Sequence, residues 1–113
     1  MKIIILTRDY EDGTKFKKSL SFLNPDLSLV KNYTKKDIIE NPKKFEETVY
    51  VFSTWYMPIF TQNEVKKYFP SLKAIFYAAG TVKYFATSFL NQGVRVFAAA
   101  KANAVPFAGF VSA

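Results

Sequence analysis

The sequence predicts one α/β domain built on a five-stranded parallel sheet. Two observations carry that prediction. Short β-branched or aromatic runs recur along the chain, from Lys2-Ile3-Ile4-Ile5-Leu6 to Val94-Arg95-Val96-Phe97. A helix-like stretch separates each run from the next. Regular strand-helix alternation needs crossover connections, which set the strands parallel and place helices on both faces of the sheet. The length of 113 residues suits one hydrophobic core and not two. Half of the residues are hydrophobic, including twelve Phe and seven Tyr, which is the composition of a folded chain.

The elements follow in order. Residues 2–7 form a short buried strand. Residues 12–23 form a helix, with Phe16, Leu20 and Leu23 on one face and lysines opposite. Asn24-Pro25-Asp26 stops it. Residues 27–32 alternate like a strand with one wetter face. Thr34 to Asp37 has the capping-box pattern and opens a short helix that Asn41-Pro42 breaks. Residues 49–53 are a buried strand, followed by the aromatic loop Thr54 to Phe60. Thr61-Gln62-Asn63-Glu64 is a second capping box, opening a helix that carries Val65, Tyr68 and Phe69. Residues 72–77 are the fourth strand, and Ala78-Ala79-Gly80 follows as a loop of very small side chains. Residues 86–91 are a helix with Gly93 as its C-terminal cap. Residues 94–98 are the fifth strand, and Asn103 caps a last helix with Pro106 in its first turn. The natural arrangement is a flavodoxin-like three-layer sandwich of strand order 2-1-3-4-5, in which ligands sit at the carboxyl edge of the sheet. That edge gathers Thr7-Arg8, residues 53–58 and residues 78–82.

Composition excludes several chemistries. There is no Cys and no His, hence no thiolate nucleophile, no disulfide and no imidazole base or ligand. The residues after Leu6 are charged at once, so no signal-peptide core is present, and no apolar run reaches the roughly 18 residues of a membrane span. These features predict a cytoplasmic protein without a membrane partner. The net charge is +7, and fourteen of the sixteen basic residues are Lys, many in doublets interleaved with acids. That pattern reads as a solvated surface rather than a phosphate-tracking stripe, so no nucleic-acid partner is expected. All nine carboxylates lie at or before Glu64. Residues 100–113 hold one charge, Lys101, and such an apolar tail is either core or covered by something else.

Known ligand signatures narrow the field. The third strand ends in Ser53-Thr54, without the aspartate a phosphoacceptor domain needs. The loop TRDYEDGT has a single late Gly and makes a poor phosphate cradle. No GxGxxG follows any strand, so a dinucleotide site is not in this chain. The stretch from Leu72 to Ala113 resembles the D-isomer-specific 2-hydroxyacid dehydrogenase family. Its features are a strand, a small-small-Gly loop, a short helix, Gly93 before Val94-Arg95-Val96, then Ala102-Asn103-Ala104-Val105-Pro106-Phe107-Ala108-Gly109-Phe110. Before that stretch the likeness is one of length and element order to the family's N-terminal substrate domain.

The resemblance implies that residues 1–102 are a substrate-binding domain. It implies that residues 103–113 begin the crossover helix toward a missing NAD-binding domain, so that the chain is a fragment. The parent would interconvert 2-hydroxy and 2-keto acids by hydride transfer with NAD, as a homodimer. The fragment alone would be inactive, with neither catalytic residue nor cofactor site. By the same resemblance the backbone N–H groups of Ala79 and Gly80, with Thr81, hold the substrate carboxylate. Small side chains there let an anion approach the backbone. Thr54, Trp55 and Tyr56 wall the pocket, and Asn103 caps the domain crossover. Many family members have Asp soon after the small-residue loop and Glu near the end of the last motif, where this chain has Val82, Lys83 and Gly109.

Plain structural roles compete with these assignments. Asn103 serves equally as a simple helix cap, Gly80 as a turn glycine, and Trp55 and Tyr56 as packing. Arg8 at the end of the first strand either holds an anion or is solvated. The alternative for the whole chain is a free-standing flavodoxin-like binding or interaction module without enzymatic activity.

Overall fold

The computed structural model describes residues 2–23, 25–54, 56–78 and 83–98. Among them five strands form one all-parallel sheet: β1 (Lys2–Leu6), β2 (Asn32–Tyr33), β3 (Thr48–Ser53), β4 (Ala74–Tyr77) and β5 (Arg95–Ala98). Their order is β2-β1-β3-β4-β5. The helices between them are α1 (Tyr10–Leu23), α2 (Lys35–Glu40), α3 (Gln62–Tyr68) and α4 (Lys83–Leu90). The expected flavodoxin-like topology is therefore present.

The strand period of two divides the core in half. Ile4, Leu6, Val51, Ile75 and Tyr77 point to one face, where α2, α3 and α4 supply Ile38, Val65, Tyr68, Phe85 and Phe89. Ile5, Phe52, Ala74 and Phe76 point to the other, where α1 supplies Phe16 and Leu20. All four β4 residues are buried, as a central strand covered on both faces requires. On the α1 face three phenylalanines stand in register across neighbouring strands, Phe52 opposite Phe76 and Phe76 opposite Phe97. Their rings stack, with centroids 5.1 Å and 5.5 Å apart.

One strand differs from expectation. Residues 27–32 do not form it: Pro25–Leu29 is a 3-10 turn, and β2 is only Asn32–Tyr33. The cause lies in Pro25, whose fixed φ suits the first turn of a helix. Leu29, one of the apolar positions of the apparent alternation, is 80% exposed. β2 is held by Ile5 N–H donating to Lys31 O at 2.9 Å and Thr7 N–H donating to Tyr33 O at 3.0 Å. A second 3-10 turn, Pro42–Phe45, delivers the fully buried Phe45 edge-on to the Tyr33 ring at 4.9 Å.

Helix ends follow local chemistry. Helix α1 starts at Tyr10 and not at Asp12, because the Asp9 carboxylate accepts the Asp12 N–H at 2.8 Å and caps the first turn. Helix α4 starts at Lys83, three residues ahead of the expected Ala86. It closes as expected on Gly93, whose φ of +83° lies in the left-handed region. A Cβ there would meet nothing within 4 Å, so the backbone angle alone requires glycine. The crossover helix proposed for residues 103–113 lies outside the described residues.

Candidate functional site

The carboxyl edge of the sheet is organised from β1 outward. Thr7, the residue after β1, is fully buried. Its hydroxyl donates to Asp9 O at 2.7 Å and accepts from the Asn32 amide at 2.9 Å. This fixes the turn that presents Arg8. The Arg8 guanidinium meets Asp12 at 2.9 Å and Asp9 at 3.3 Å, and lies 4.5 Å above the centre of the Tyr56 ring. Arg8 therefore ties the β1 turn to the loop after β3. It is neither a bare anion hook nor simply solvated.

Tyr56 sits at φ +62°, the left-handed region that a side chain disfavours. The loop holds it there from the C-terminal side, where Met57 and Phe60 are both 1% exposed. Such outliers persist where surrounding packing over-determines them, and they concentrate at ligand clamps.

An open groove of about 710 Å³ runs beside this loop. One wall is α1, with Phe16 and Leu20 deep and Asp12, Lys15 and Ser19 at the rim. The other wall is Thr54, Tyr56 and Ala78, from the ends of β3 and β4. Ala78 is anchored by its N–H donating to Ser53 O at 2.9 Å, and it is exposed. Of the residues expected at the site, Thr54 and Tyr56 thus line one groove. Trp55, Ala79, Gly80, Thr81 and Asn103 lie outside the described residues, as do Val82 and Gly109. Sequence reasoning missed the α1 wall. Phe16 and Leu20 carried a signal, but it was the ordinary helical stripe of a core face.

The far side of the same edge is knitted by helix caps. Glu64 accepts the Thr61 N–H at 2.8 Å while its own N–H donates to the Thr61 hydroxyl at 3.2 Å, the full capping box. Asp37 accepts the Thr34 N–H at 2.8 Å, and also the Tyr10 hydroxyl from the first turn of α1. Lys35 bridges the two caps, reaching Ile59 O at 2.5 Å and Glu64 at 3.4 Å. The Thr61 N–H, chief among its neighbours, holds the Glu64 carboxyl below the usual range. Partial burial pushes Asp37 upward, but hydrogen bonds from Tyr10 and Thr34 outweigh it and hold the carboxyl low. The Asp37 carboxylate in turn raises the Tyr10 phenol.

The sign of the resulting pH dependence follows. Carboxyls lowered in the folded state add stability above their unfolded values, about 4. That stability is lost as pH falls through the lowered folded values. Tyr10 adds stability below its unfolded value, which is lost as pH rises through its raised one. Denaturant midpoints measured from pH 7 down to pH 2.5 are expected to fall below about pH 4. The Asp37→Asn, Glu64→Gln double variant is expected to flatten that fall. An unchanged acid limb in the double variant contradicts the assignment.

Among the described residues, the amino end of α1 is a poor seat for a dinucleotide. The usual seat for its pyrophosphate is the amino end of the helix after β1. Here the Asp9 carboxylate already occupies the amino end of α1, and Glu11 and Asp12 add negative charge in the first turn. Among the described residues no group of His, Cys, Asp and Glu is placed to hold a metal ion. No helix among them is long and apolar enough to cross a membrane. No protein-family model, curated protein or solved structure matches the chain.

Proposed function

We propose that the chain is the substrate-binding domain of an NAD-dependent D-2-hydroxyacid dehydrogenase, with the nicotinamide held by a separate cofactor domain. The observation that carries this reading is the groove at the carboxyl edge. It opens beside Ala78, where the small-residue loop of the family resemblance begins. The flavodoxin-like topology supports it, since that is the family's substrate-domain fold. The poor fit of a pyrophosphate at α1 supports it too, because NAD then belongs to the other domain. In this reading the domain binds and orients a 2-oxo acid and moves no hydride.

One observation favours a free-standing binding module instead. The ionisable groups at the groove are already engaged, Asp12 by Arg8 and Lys15 by Glu11 at 3.6 Å. Two measurements separate the readings. Sequencing the gene downstream of the Ala113 codon is expected to reveal GxGxxG after a further strand; a stop codon in its place favours the module. The purified 113 residues are expected to bind a 2-oxo acid without oxidising NADH. Hydride transfer by this chain alone contradicts the division of labour.

A further inference from the structure

The C-terminal end of α1 carries a surface that the candidate site does not use. Helix α1 runs back against the parallel strands, so its last turn lies by the amino edge of the sheet. The 3-10 turn Pro25–Leu29 packs back on it. Phe22 is 83% exposed and Leu29 is 80% exposed, more than any other large hydrophobic among the described residues. Single exposed apolar side chains are ordinary, but two of this degree share one corner here. Their charged neighbours have one dominant sign. Lys18 stands four residues before Phe22, on the same outward face of α1 and opposite Phe16 and Leu20. Lys31 follows Leu29 by two residues, and both lysines are exposed. From Lys15 to Lys31 the sequence holds four Lys against one carboxylate, Asp26.

We propose that this corner docks on an anionic lipid surface, with Phe22 and Leu29 entering the headgroup boundary and Lys18 and Lys31 meeting the lipid charges. Apolar insertion and basic attraction are each weak alone, and stable peripheral binding takes both. A second copy of the chain is a poor occupant, because Lys18 and Lys31 would face their like. A folded acidic partner would need a shaped pocket for each of two side chains that stand clear of their surroundings. A bilayer takes in protruding apolar groups without a matching shape. Such contact is peripheral and needs no spanning segment, so the lack of an apolar run long enough to cross a membrane does not oppose it. The inference is independent of the substrate-domain reading.

Co-sedimentation of the 113-residue chain with lipid vesicles tests it. Vesicles of about three parts phosphatidylcholine to one part phosphatidylserine are expected to bind it at least about tenfold more tightly than pure phosphatidylcholine. Raising salt from about 0.1 M to about 1 M is expected to release it, since screening cuts the reach of charge from roughly 10 Å to roughly 3 Å. The Phe22→Ser, Leu29→Ser double variant is expected to weaken anionic-vesicle binding at least about fivefold. Its melting temperature is expected to hold, because both side chains are exposed. The Lys18→Glu, Lys31→Glu variant is expected to abolish binding. The same charge change at exposed lysines on α2 and α3, Lys36→Glu with Lys66→Glu, is expected to leave most of it. Equal binding to both vesicle types overturns the inference, as does an equal loss in the two lysine variants. Full binding by the serine variant reduces the contact to bulk charge and overturns it too. Binding to soluble polyglutamate as tight as to anionic vesicles, and lost in the serine variant, points to an acidic protein and overturns the lipid assignment.

Discussion

Phe76→Ala is expected to lower the unfolding free energy by about 3–5 kcal/mol, the usual cost of emptying a phenylalanine site in a core. Phe76 is the middle rung of the three-ring stack across β3, β4 and β5, and it is 9% exposed. Its removal takes away transfer energy and leaves a gap between two rings that the sheet hydrogen bonds hold apart. The stacked geometry adds to the area term, since offset aromatic pairs are worth about 0.5–1.5 kcal/mol beyond burial. Phe76→Leu keeps most of the volume and is expected to cost less, about 1.5 kcal/mol or below. Urea denaturation followed by circular dichroism measures both. A loss under about 1 kcal/mol for the alanine variant contradicts the account of this face.

Gly13→Ala is expected to destabilise by about 2 kcal/mol, although alanine is the better helix former by about 1 kcal/mol. Gly13 lies within α1 and is buried against β2. A Cβ there would fall 1.8 Å from Asn32 Oδ1 and 2.2 Å from Asn32 Cγ. A free side chain would swing away, but this one is tied. Its amide donates to the Thr7 hydroxyl at 2.9 Å, Tyr33 O at 3.3 Å and Ile5 O at 3.4 Å. Displacing it strands buried polar groups at about 1–3 kcal/mol. It also frees the Thr7 turn that presents Arg8, so the damage reaches the candidate site. A double-mutant cycle isolates the cause. In an Asn32→Ala background the same Gly13→Ala change is expected to be neutral or stabilising. Equal destabilisation in both backgrounds would show that Asn32 is not the obstacle.

Much of the architecture was legible because strand and helix periods differ. Strands β1, β3, β4 and β5 are apolar runs with clear punctuation, and their alternation implied the sheet order. The Thr61 box announced α3 directly, since a capping box is local chemistry. Strand β2 was misread because Leu27, Leu29 and Lys31 mimic alternation, while Pro25 had already committed the chain to a 3-10 turn. With two residues, β2 depends on pairing with β1 and on Asn32, neither of which has a sequence signature. The site was half legible. The β3 loop pointed to Thr54 and Tyr56 through position in the fold. The α1 wall did not stand out, because a helix face that lines a groove has the same spacing as one that lines a core. The Arg8–Tyr56 contact joins residues 48 positions apart, and the positive φ of Tyr56 is imposed by packing on a residue type that gives no hint of it.

The central proposal is that a 2-oxo acid binds at the carboxyl edge between α1 and the ends of β3 and β4. Amide NMR of the labelled chain, titrated with pyruvate as the simplest 2-oxo acid, tests it most directly. The account predicts shifts concentrated at Ser19, Tyr56, Ala78, Ala79 and Gly80, with the lysine doublets at 43–44 and 66–67 unmoved. Shifts centred on those lysines, or none at saturating ligand, contradict it.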